Sequence, residues 1–79
     1  MLNLKNIKID NGIISANYIP EDSEEVGFVS IDIKNGKVID SVYTEYDGTL
    51  HAYFSHAVFA LKKLIKEKEI PKERLVMWY

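Results

Sequence analysis

His51 and His56 are the side chains of this chain whose charge changes near neutrality, which makes them the first candidates for acid-base or metal chemistry. On a helix, five positions separate two side chains by about 140°, so the pair cannot share one metal as an i, i+4 pair would. His51 follows Glu45 and Asp47 closely. Those three residues form a candidate carboxylate-histidine site of the kind a metal-dependent hydrolase uses, although satisfied surface or boundary polar groups are the preferred reading. The hydroxyls of Ser30, Ser41, Thr44 and Ser55 sit in no nucleophile elbow and beside no evident base. The glycines at positions 12, 27, 36 and 48 are too dispersed for a phosphate loop. The run Pro20-Glu21-Asp22-Ser23-Glu24-Glu25 concentrates carboxylates but lacks the spaced Asp/Asn ligands and central glycine of a calcium loop. No catalytic residue, metal or cofactor is assigned, and an enzyme is the least supported class.

The remaining chemistry is electrostatic. The net charge of −2 hides an asymmetry, with −5 over residues 1–49 and +3 over residues 50–79. Lys62, Lys63, Lys66, Lys68, Lys72 and Arg74 gather near the expected C-terminal end of a helix, where cations complement the macrodipole. They are the candidate nucleic-acid-binding residues. Nine of the ten basic residues are Lys, however, and a single Arg supplies few of the forked contacts that base and phosphate readers favour.

The elements that must position these groups can be read from hydropathy. Asn11-Gly12 and Asn35-Gly36 each lie between alternating apolar runs, the strongest short-range hairpin signal. In the first hairpin a two-residue turn pairs Ile9 with Ile14 and Ile7 with Ala16 and sets Lys5 opposite Tyr18. Leu4 and Ile19 then point the other way. In the second, a two-residue turn would drive Asp40 among Val29, Ile31 and Val38, an expensive place for a carboxylate. A three-residue loop at Lys34-Asn35-Gly36 instead pairs Ile31 with Ile39 and Val29 with Ser41, sends Asp40 outward beside Ser30, and is the preferred register. After Asp47-Gly48-Thr49 the period turns helical: Leu50, Phe54, Ala57, Leu61, Leu64 and Lys68 form an amphipathic stripe that Pro71 ends. That predicts one helix of about 20 residues and about 30 Å. The closing run Leu75-Val76-Met77-Trp78-Tyr79 is expected to return as a strand, parallel to the fourth through a right-handed crossover.

Tyr18-Ile19-Pro20-Glu21-Asp22 followed by Gly27-Phe28-Val29 resembles, over about a dozen residues, the strand-loop-strand opening of HicB-type antitoxins, which bind a small toxin and sometimes DNA. The chain departs from that family at Asn35-Gly36, where a proline- and glycine-containing segment should precede the helix, so the likeness assigns no family. The strand-helix-strand layout also invites comparison with ribonuclease H-like nucleases, but the final strand has no Asp or Glu to complete a two-metal site.

The prediction is a single α+β domain over 1–79 in the order β-β-β-β-α-β, a mostly antiparallel sheet of about five strands with one amphipathic helix across one face. With 79 residues and no cysteine it lies near the lower limit of what one core supports unaided, and association would help it. No signal-peptide pattern or membrane span is seen, and a cytoplasmic location is expected. Leu4, Ile19, Phe28 and Tyr43 (or Val42) are left facing away from the helix, joined by Val76 and Trp78 if Leu75, Met77 and Tyr79 are the inward set of the last strand; the alternative phase reverses that set. They are the expected contact surface of a non-enzymatic, self-associating module, most simply a homodimer through the open sheet face or the last strand, or of a module with another protein partner. A nucleic-acid-associated or antitoxin-like regulator using the lysine-rich helix end is the alternative.

Overall fold

A computed structural model describes residues 1–21, 23–45, 52–67 and 69–77. Strands β1 (Leu2–Asp10), β2 (Ile13–Pro20), β3 (Gly27–Asp32) and β4 (Val38–Val42) are followed by helix α1 (Ala52–Leu64) and strand β5 (Arg74–Val76). The sheet has the spatial order β4-β3-β2-β1-β5, and every neighbouring pair is antiparallel. The α+β architecture and element order are those the sequence predicts. The last strand differs: β5 lies beside β1, antiparallel to it, instead of parallel to β4.

The first hairpin turns on Asn11 and Gly12 with φ of 52° and 76°, the left-handed pair that a two-residue turn between twisted strands requires. Its ladder starts as expected, Ile9 against Ile14, and then slips by one residue between Lys5 and Lys8. Asn6, at φ 55°, forms the bulge. Asparagine tolerates that conformation better than most residues. The slip reverses the phase of everything before it. Leu4 pairs with Tyr18 and Leu2 with Pro20, so both leucines enter the core and Lys5 turns outward opposite Asn17. The bulge also leaves the Ile7 N–H to donate to the Lys72 carbonyl at 3.0 Å. That bond draws the chain after the helix along β1 and delivers β5 to the edge where Leu2 pairs with Val76.

The second hairpin reaches the preferred register by another route. The Asp32 N–H donates to Lys37 O at 2.9 Å across a four-residue loop with Gly36 at φ 73°, and Ile31 pairs with Val38. A bulge at Ile39 then restores Val29 against Ser41 and Ser30 against Asp40. Asp40 faces out, as its desolvation cost demands.

The core is formed by Leu2, Leu4, Ile7, Ile14, Ala16, Tyr18, Val29 and Ile31 from the sheet with Ala57, Leu61 and Leu64 from the helix. Among the described residues the helix covers 13 residues, about 20 Å, and it ends at Leu64, earlier than the stop near Pro71 that the sequence predicts. Beyond Leu64, Lys66 and Glu67 are exposed, and the chain tightens into i→i−3 bonds, Lys66 to Lys63 O and Glu67 to Leu64 O. Helices held by packing end where packing ends.

Candidate interaction surface

Helix α1 packs on one face of the sheet; among the described residues no helix lies on the other. Strand pairing orders the side chains of this open face into rows. One row runs Lys8 (β1), Ser15 (β2), Ser30 (β3), Asp40 (β4). The next runs Lys5, Asn17, Phe28, Val42. Beyond it Asn3 pairs with Ile19 on one side and Leu75 on the other. Apolar and aromatic side chains thus collect toward one end of the face, with Val42 and Leu75 at least half exposed and Ile19 and Phe28 half-buried.

The middle of the face is rigidly wired. The Asn6 Nδ2 amide donates to Asn17 Oδ1 at 2.9 Å, and Asn17 Nδ2 donates to the Gly27 carbonyl at 3.1 Å. Two side-chain amides therefore link β1, β2 and β3 beside Phe28. A shallow hollow opens there, bordered by Lys8, Ser15, Asn17, Phe28, Lys72 and Glu73.

Three of the expected contact residues lie elsewhere. Leu4 is fully buried against Tyr18, because the Asn6 bulge inverts the start of β1. Val76 pairs with Leu2 and packs on the core, so it is Leu75 that faces outward. Tyr43 turns to the helix side, its ring edge-on to Phe54 with centroids 4.7 Å apart, and Val42 takes the place beside Phe28. Ile19 and Phe28 are on the open face as expected; Trp78 lies outside the described residues. Asn6 is the residue sequence reasoning missed, whereas an outward Leu75 belongs to the alternative phase of the last strand. The phase break between Leu2/Leu4 and Ile7/Ile9 was the available signal for Asn6.

Among the described residues, several of the candidate cations have neighbours within the chain. Lys62 reaches toward Gly36 at the tip of the second hairpin. Lys63 stands over the Phe59 ring, 4.9 Å from its centroid. Arg74 pairs with Glu67 at 3.0 Å, Lys72 borders the open-face hollow, Lys66 is exposed just beyond the helix, and Lys68 lies outside the described residues. On the flank between α1 and β5, Ser55, His56, Phe59, Val76 and Met77 line an apolar groove of about 500 Å³.

The candidate carboxylate-histidine site cannot be assembled, since Asp47 and His51 lie outside the described residues. Among the described residues no cluster of three His, Asp or Glu is placed to hold a metal ion. In the acidic loop, Glu21 accepts hydrogen bonds from the Met1 amino group at 2.9 Å and from the Tyr53 hydroxyl at 2.8 Å. Both favour the ionised carboxylate, the amino group most, and hold its pKa below the usual glutamate value. This carboxylate ties β1, the acidic loop and the helix together. Among the described residues no helix is long and apolar enough to cross a membrane. No protein-family model, curated protein or solved structure matches this chain at a significant level.

Proposed function

We propose that this protein is a non-enzymatic interaction module that self-associates as a two-fold dimer through the open face of its sheet. The observation that carries the reading is Phe28, an aromatic side chain on an uncovered sheet face with Val42 beside it on β4 and Ile19 diagonal to it on β2. Aromatic and apolar groups gathered on one uncovered face favour contact with another surface over water. A domain of 79 residues gains from the extra burial, and two-fold pairing is the simplest closed assembly. The nucleic-acid alternative stands second because nine of the ten basic residues are Lys, and two of the cations proposed for it have partners within the chain, Lys63 over Phe59 and Arg74 with Glu67.

Light scattering across the micromolar range tests the reading. A particle of about twice the 9.1 kDa chain mass is expected, and Phe28→Ser should weaken it while leaving the unfolding midpoint of the monomer in place. A wild-type monomer at every concentration would refute it.

A further inference from the structure

The open face has a polarity that a second copy of the chain can match. Its polar row begins with a cation, Lys8, on β1, crosses the small side chains of Ser15 and Ser30, and ends with an anion, Asp40, on β4. The serines are 7% exposed each and raise no bulk in the middle of the row. The Asp40 carboxylate accepts the Ser41 N–H at 2.9 Å, which fixes it at the β4 margin.

Two stacked sheets lie about 10 Å apart. For sheets stacked with their strands aligned, a two-fold axis relating them lies between the faces and runs either along the strands or across them. An axis across the strands and through this row would set Lys8 over Lys8 and Asp40 over Asp40. Moved to the next row, it would set serines over the Asn3, Ile19 and Leu75 row. An axis along the strands, midway between β2 and β3, lays β1 over the partner's β4 and keeps each row against its own copy. Lys8 then meets the Asp40 of the second copy, twice by symmetry. The two Phe28 rings lie side by side at the axis, and Val42 falls over the aliphatic stem of the opposing Lys5, which can cover it while its ammonium stays in water.

We infer that two copies of this chain stack face to face about an axis parallel to the strands between β2 and β3, with Lys8 of each paired to Asp40 of the other. The inference rests on the reading of the open face as a self-association surface and adds its geometry. Like charges set against each other disfavour a pairing and opposite charges fix its register.

Sedimentation equilibrium on wild type, Lys8→Glu, Asp40→Lys and an equimolar mixture of the two variants decides it. Both sites are exposed, and an unchanged unfolding midpoint at concentrations where the chain is monomeric verifies that each variant folds. Each variant alone faces like charge across both contacts and should dimerise about tenfold more weakly, or worse. The mixture should recover near wild-type affinity, because a heterodimer opposes unlike charges at both contacts: the introduced glutamate meets the introduced lysine, and the native Lys8 meets the native Asp40. If wild type dimerises but the single variants match it, or the mixture stays as weak as its components, the stacking is wrong and self-association stands. If wild type remains monomeric at about 100 μM, both the stacking and the self-association reading fall.

Discussion

Gly27 lies against the face of Tyr18 so closely that a Cβ on it would stand 2.3 Å from Cε1 and 2.4 Å from Cζ of the ring. The two residues are partners across β2 and β3, and the glycine leaves the space that lets a full tyrosine ring lie in the core. The Val42 carbonyl, 2.8 Å from the same point, closes the other side. Gly27→Ala should therefore destabilise the fold by about 1–3 kcal/mol, the range for overpacking, despite the smaller backbone entropy loss of alanine. Urea unfolding reads the difference directly.

Tyr18 also satisfies a buried backbone group, its hydroxyl oxygen accepting the Thr44 N–H at 3.2 Å. Phenylalanine keeps the ring and its contact with Phe54 but removes that acceptor. Tyr18→Phe is expected to cost about 1–3 kcal/mol in the same unfolding experiment, and an unchanged midpoint would show that water replaces the lost acceptor.

Asn6 tests the bulge. Valine is poorly tolerated at φ 55°, so Asn6→Val should lose about 1–2 kcal/mol from the backbone alone, with the amide contact to Asn17 lost in addition. Asn6→Gly keeps the conformation accessible and should lose less. Equal losses in thermal melts would mean that the amide contact, not the backbone, matters at this position.

The Glu21 carboxylate makes stability depend on acid. Its pKa is lowered in the folded protein, first by the Met1 amino group and then by Tyr53, so its contribution is present above the ordinary value of about 4.3 and fades as pH falls through the folded value. The urea midpoint should drop between about pH 6 and about pH 3, and drop less in Glu21→Gln. An identical drop in that variant would assign the acid sensitivity to other carboxylates.

The helix-end cations carry their own prediction. Lys63→Ala removes the cation over Phe59 and Lys62→Ala one beside Gly36, yet neither should alter retention of mixed-sequence DNA or RNA, which should be negligible at physiological salt. Tight binding that falls steeply with salt would instead favour the nucleic-acid reading.

Much of the fold was legible because local physics dictates it. Asn11-Gly12 can hardly do anything but turn, Asp40 must face water, and the stripe from Phe54 to Leu64 must lie on something apolar. Of the open face, Phe28 and Ile19 were readable because they alternate with residues plainly destined for the core, such as Val29 and Tyr18.

The residues that escaped were those whose side depends on a single inserted position. Alternation has a period of two, so one bulge at Asn6 moves Leu4 from one face to the other without changing its neighbours in the chain. The local order of residues alone was enough for an α+β fold, its two hairpins and one covering helix, because turns and periodicity act over a few residues. Only the tertiary structure decided that β5 joins β1, where the freed Ile7 N–H and the open edge along Leu2–Leu4 receive it, and hence that Leu75 faces outward while Val76 faces the core. Strand order is set by which edge still has unpaired backbone groups within reach of the returning chain, a long-range condition that no local pattern encodes.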